Sequence, residues 1–138
     1  MPFTNNCELK IEGKIFRVVH CDYAFNQPVD ENNRPNGRVL GGKINLEIDS
    51  PGSIILIQWM IEHHATKTGE INFLSRRTGR REKTIKFTEG YVVQYFESYN
   101  EFDSNPTTER VVIAARAIEI TTFGDNPGSV NMEQSWPK

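Results

Sequence analysis

Along most of the chain, apolar and polar residues alternate with a period of two, as in a strand with one buried face and one wet face. Glu8-Leu9-Lys10-Ile11-Glu12 alternates, Gly13-Lys14 supplies a turn, and residues 15–25 return as a longer strand, so a hairpin is predicted. Alternation resumes over residues 42–49. Ile44, Leu46 and Ile48 stand on one side there, and Lys43, Asn45, Glu47 and Asp49 on the other. Residues 70–75 and 83–87 predict a second hairpin around Arg76-Arg77-Thr78-Gly79-Arg80-Arg81, after which Thr88-Glu89-Gly90 reads as a brief turn. Two long strands follow, over residues 91–102 and 110–121, separated by Asp103-Ser104-Asn105-Pro106. In the first, Tyr91, Val93 and Tyr95 fall on one side and Val92 and Phe96 on the other. Phe16, Phe87, Tyr95 and Phe96 are the bulky candidates for a filled interior. The tail from Phe123 onward is rich in Gly, Asn and Pro, with Trp136 expected to be tied down by packing.

The period changes once. Ser50-Pro51-Gly52-Ser53 leads into a helix predicted over residues 54–62, with Ser50 or Ser53 able to cap it. At about 100° per residue, Gln58 and Glu62 share a narrow polar stripe, while Ile54, Ile55, Leu56, Ile57, Trp59, Met60 and Ile61 spread over roughly 260°. A surface helix needs an apolar stripe of only about 100° or somewhat more to sit on its own core. Either the helix plugs a large monomeric core, or it serves its own sheet and a second chain. A single helix among alternating strands favours the second reading, which makes Ile54, Ile57, Trp59, Met60 and Ile61 a candidate subunit interface.

The expected fold is therefore mainly β: one domain over residues 1–138, a small antiparallel β-barrel or sandwich of six to seven strands with one flanking α-helix. The stretch 26–38 is polar almost throughout and punctuated by Pro28, Pro35 and Gly37. A connection that long between strands exceeds what packing requires. Beside an over-apolar helix it reads as a docking arm.

Composition narrows the function. With 138 residues and a formal charge of −2, nothing in the overall balance calls for nucleic acid or an anionic membrane. The N-terminus has no signal-peptide pattern, and no apolar run approaches the ~20 residues of a membrane span. Cys7 and Cys21 read as small buried hydrophobes rather than a disulfide. Glu62-His63-His64 lacks metal-site spacing, because adjacent helical residues do not face one way. His20 and Cys21 point to opposite faces of a strand, so at most one of them shares a face with Cys7. No nucleophile elbow, phosphate loop or nucleotide fingerprint is present. The basic tip Arg76, Arg77, Arg80, Arg81, Lys83 has no interleaved aromatic residue for stacking bases, and reads as a solvated turn or one facing an acidic patch.

One ordered set of residues resembles a known family. It comprises His20-Cys21-x-Tyr23-x-Phe25-Asn26-Gln27, Asp30, Arg34-Pro35, Gly41-Gly42-x-Ile44-x-Leu46-Glu47, Trp59-Met60, Ser104-Asn105-Pro106 and Trp136-Pro137. It is similar to the type VI secretion system tube protein family, Hcp or TssD, in a diverged branch that lacks the usual Gly-Glu-Ser run. The resemblance implies a barrel with a helix on its side, six-membered rings and a stacked hollow tube, driven by a contractile sheath and associated with baseplate and spike proteins. It implies no enzymatic activity and no cofactor, effectors as cargo in the lumen, and assembly in the cytoplasm with expulsion that needs no cleaved signal peptide. Carried onto this chain, Asn26, Gln27, Val29, Asp30, Arg34, Pro35 and Arg38 would form the ring-stacking loop. Lys43, Asn45, Glu47 and Asp49 would line part of the lumen. A phage-tail or extracellular injection-particle tube, or a small-ligand-binding barrel, are the other readings.

Overall fold

In the computed structural model, which describes residues 6–62, 65–104 and 106–134, the chain is a barrel of short and very long strands. Strands β1 (Cys7–Ile11) and β2 (Lys14–Tyr23) form the first hairpin. Ile11 pairs with Lys14, so the two turn residues are Glu12 and Gly13, both left-handed (φ 51° and 78°), one position earlier than expected. β3 (Lys43–Asp49), α1 (Ile55–Ile61), β4 (Lys67–Leu74), β5 (Arg81–Tyr99), β6 (Thr107–Thr122) and β7 (Gly128–Glu133) follow.

All neighbouring strands are antiparallel, in the order β3-β2-β1-β4-β5-β6-β7. A further pairing of β3 with β6, from Lys43 opposite Ala114 to Asp49 opposite Thr108, closes the first six strands into a barrel. Closure removes two edges that would otherwise present unpaired backbone groups. β7 lies outside the ring of strands, added to β6, in a tail whose composition reads as irregular.

The interior is filled. Leu9, Ile11, Phe16, Ile44, Leu46, Ile48, Ile71, Ile85, Phe87 and Ile113 are all buried there, each on the inward face of its strand. A six-stranded barrel leaves room for side chains and little else. The packed interior gives the small-ligand reading no support.

Irregularities in the strands decide which side chains reach that interior, and two of them lie in β5. The stretch 88–90 is no turn: β5 runs straight through it for 19 residues. It is a corner, with Glu89 in a left-handed conformation (φ 51°) and Arg116 of β6 bonded to its carboxylate. Along β6, burial changes phase across this corner, from Val111, Ile113 and Ala115 to Ile118. The second irregularity is a bulge between Val92 and Gln94. An extra residue reverses the alternation beyond it. Tyr95 therefore turns inward and Phe96 outward, at 57% exposure, which corrects the expectation that Phe96 helps fill the barrel.

The helix is shorter than expected, and neither serine caps it. Ile54 occupies the N-cap position without a side-chain bond, and the Ser50 hydroxyl instead accepts from the Gly52 N–H. Leu56 and Trp59 are sunk into the barrel core. The Trp59 ring lies nearly parallel to Phe87, at 6.4 Å between centroids. Its indole N–H donates to the carbonyls of Gly90 (3.1 Å) and Ala65 (3.2 Å). Gly69 makes room for this stack, because a Cβ there would stand 2.8 Å from the Phe87 ring and from the Lys10 carbonyl. Burial of an aromatic ring with a satisfied N–H is strongly stabilising.

Candidate functional site on the barrel surface

The surface divides into three candidate regions, and the helix supplies the first. Ile54 and Ile61 are 67% and 72% exposed, Met60 is exposed beside them, and Ile57 is half-buried. Trp59 is 1% exposed and belongs to the core, which corrects its assignment to a subunit interface. Its ring has an apolar stack and two carbonyl acceptors within one molecule, so none of it is left to offer a second chain. The apolar excess that remains is Ile54, Met60 and Ile61. Val93 and Phe96 of β5 extend it, and Met60, Val93 and Phe96 line one open concavity of about 870 Å³.

The second region is the arm between β2 and β3, where every residue from 26 to 38 except Asp30 is exposed. It is a ribbon laced by hydrogen bonds within itself. Asn26 and Leu40 exchange both backbone bonds at 2.8 and 2.6 Å, and Asn36 N–H donates to the Pro28 carbonyl at 2.7 Å. Asp30 organises the tip: its Oδ1 accepts from the Asn32 and Arg34 amides at 2.9 and 3.0 Å. Gln27 Nε2 donates to the Gly37 carbonyl at 3.2 Å, and Val29 bridges to Pro35. Arg34 and Arg38 are exposed on the same ribbon.

The third region is the outward face of β3. Lys43, Asn45, Glu47 and Asp49 all point away from the core, and the strands on either side complete the surface. Asp49 pairs with Arg17 at 2.6 Å, Glu47 with Arg110 at 3.3 Å, and Asn45 donates to Asp22 at 2.7 Å. Asp22 also meets His20 at 2.7 Å, and these two bonds hold its carboxyl below the usual carboxylate range, Asn45 contributing most. Arg110 lies over the Phe96 ring at 5.8 Å. The result is a wet, mixed-charge sheet face whose exposed, solvent-screened pairs contribute little to folding. His20, Asp22, Phe96 and Arg110 were missed by sequence reasoning. For His20 and Asp22 a register shift between Val18 and His20 hid the signal, since unbroken alternation would set them on the inward face with Phe16 and Val18; for Phe96 and Arg110 the bulge and the β3–β6 register were not readable.

The nucleophile question has a geometric answer. Cys7 and Cys21 both pack against the core as free thiols, while His20 faces outward to Asp22. Burial, the neighbouring Cys21 and Glu8 push the Cys7 thiol up to about 12, and burial with Asp22 pushes Cys21 up to about 11. Both stay protonated at neutral pH, and a protonated thiol is a poor nucleophile. Among the described residues no three His, Cys, Asp or Glu side chains group as a metal site, and no helix is long and apolar enough to cross a membrane. His63, His64 and Trp136 lie outside the described residues.

Together these features define a class: a small closed antiparallel β-barrel with one half-sunk helix, a projecting self-paired arm and a polar outer sheet. The family model described as hemolysin coregulated protein Hcp (TssD) matches residues 3–137, and the chain belongs to that family. The resemblance read from the residues is thus borne out. Among solved structures, Hcp1 from Flavobacterium johnsoniae is 32% identical, with a TM-score of 0.82 over 93% of this chain and 98% of that one. Hcp1 from E. coli EAEC 042 is 14% identical, with a TM-score of 0.75 over 94% and 99%. A type VI secretion system effector from Yersinia pestis is 11% identical, with a TM-score of 0.72 over 92% and 98%. These last two likenesses are of fold. No curated protein is significantly similar to the chain by sequence.

Proposed function

We propose that the chain is the tube subunit of a type VI secretion apparatus, six copies closing a ring and rings stacking into a hollow tube that carries effectors. The observation that carries this reading is the match to the Hcp (TssD) family over nearly the whole chain, on a barrel with apolar helix surface left uncovered. Ile54, Met60 and Ile61, with Ile57 at their margin, are the proposed lateral contact between neighbours in the ring. The arm, with Asn26, Gln27, Val29, Asp30, Arg34, Pro35 and Arg38, is the proposed contact with the next ring. Its internal hydrogen bonds support that role, because an arm already ordered before docking loses little entropy on contact.

Lys43, Asn45, Glu47 and Asp49 are the proposed wet wall of the lumen. Most of their charge is neutralised by Arg17 and Arg110, so the wall would pass cargo without gripping it. The proposed partners are further copies of the chain, the contractile sheath, the baseplate and spike, and effectors. Catalysis, cofactor, nucleic acid and membrane insertion have no part in the proposal. Assembly takes place in the cytoplasm, and export follows firing without a cleaved signal. Negative-stain imaging and light scattering of the purified protein test it: closed rings with the mass of six copies are expected, and monomers alone at micromolar concentration and above would overturn it.

A further inference from the structure

The two ends of strand β5 carry opposite charge. The turn that feeds it holds Arg76, Arg77, Arg80 and Arg81, with Lys83 following and only Glu82 against them. That turn is tightly built: Ser75 N–H donates to the Arg80 carbonyl at 2.8 Å, Gly79 N–H to the Ser75 carbonyl at 2.8 Å, and the Ser75 hydroxyl accepts from the Arg77 and Thr78 amides. All four guanidinium groups are exposed, and none has a side-chain partner among the described residues. Four unpaired arginines on a rigid turn form a shaped positive surface.

The turn that leaves β5 is the complement. Glu101, Phe102 and Asp103 sit at its tip, with no cation between Glu97 and Pro106. Phe102 is 90% exposed, an aromatic ring held in water between two carboxylates. Guanidinium is the group that suits both, since it bonds carboxylate through its N–H fork and lies favourably on an aromatic face. Strand register puts the two turns at opposite ends of the barrel. β5 opens opposite Leu74 and closes opposite Thr107, so its 19 residues lie between the two turns. The two turns of one molecule are therefore presented at different ends. A surface at one end that matches a surface at the other makes a heterologous, head-to-tail contact that repeats without closing.

We infer that the arginine turn of one copy docks on the Glu101-Phe102-Asp103 turn of a copy in the next layer, so that charge sets the polarity of stacking. This rests on the tube reading and adds to it a second stacking contact separate from the arm. Like ends repel, so a ring cannot stack upside down.

The test is a charge swap. R76E/R77E/R80E/R81E places acid at both ends of the molecule, and E101K/D103K places base at both. Each variant alone is expected to form rings and, at about 50 mM salt, to lose at least about tenfold in the stacked fraction measured by sedimentation and negative-stain imaging. An equimolar mixture of the two is expected to recover stacking, because every junction in an alternating column then joins acid to base. Raising salt to about 500 mM should erase the recovery. Stacking of either single variant at the wild-type level overturns the contact, as does a mixture that stays unstacked. Binding of an acidic polypeptide such as polyglutamate to the arginine turn with stacking unchanged would overturn it too, by assigning the turn to a different acidic partner. Rings that do not stack even in the wild type also overturn it and leave the ring reading standing. Monomers throughout defeat the ring reading itself.

Discussion

The helix and the arm both leave the barrel surface, yet they are held in opposite ways. α1 is anchored by what it shares with distant strands: Trp59 reaches the Gly90 carbonyl, and its ring stacks on Phe87. The arm is held by its own backbone, through Asn26 with Leu40, Pro28 with Asn36 and Asp30 with its own tip. Apolar content alone does not distinguish these cases, because an Ile on the helix and a Val on the arm are equally greasy. What separates them is whether a side chain finds a matched cavity in its own molecule. The inner side of α1 does, while Ile54 and Ile61 do not.

That contrast can be broken most forcefully at Trp59. Trp59→Ala should cost about 3–5 kcal/mol of folding stability by urea titration, since it removes a buried ring and strands two carbonyls. A variant as stable as the parent would return Trp59 to the surface.

The thiols come next in size. Their raised values mean that the folded state holds them neutral. The stability this represents is complete below the ordinary thiol value near 9 and is lost as pH climbs from there toward 11 and 12. Alkylation by iodoacetamide at pH 8 should accordingly be at least about 100-fold slower in the folded chain than in urea. Equal rates would place both cysteines outside the core.

Ile61→Asp tests the outer side of the helix. Stability should move by about 0.5 kcal/mol or less, as for surface substitutions generally, while particle mass by light scattering falls from ring to monomer. Intact rings would remove Ile61 from the lateral contact. The smallest effect on folding is expected from replacing residues 29–36 with a two-residue turn. The thermal midpoint of the barrel should stay within about 2 °C, because the deleted bonds are internal to the arm. Stacking should be lost with ring formation retained, and a large drop in midpoint would show that the arm braces the barrel after all.

Much of the barrel was legible from alternation. The first hairpin, β3, the helix and the arm follow from local patterns such as Gly13-Lys14, whose turn sits one position earlier at Glu12-Gly13, and Pro28 to Gly37. The β3–β6 closure was not, because a pairing some sixty residues apart leaves no local mark. β7 was hidden for a different reason: an edge strand of Gly128-Ser129-Val130-Asn131 buries almost nothing and so needs no apolar alternation. At Glu89 the polar, glycine-adjacent residues that normally end a strand instead bend a continuous one. For the candidate surfaces, the arm and the outward side of β3 could be read ahead of the structure, since both are visible as polarity. The division of the helix could not. Leu56 and Ile57 are chemically alike, and only the barrel's three-dimensional mouth decides which is swallowed.

The bond pattern of the arm has one more consequence. Because its ladder is complete by the Asn26–Leu40 bridge, the ribbon is a cassette plugged in at one pair of residues. A ribbon from a relative of different length could be transplanted there without rewriting the barrel, so docking preference and foldability can drift independently in this lineage.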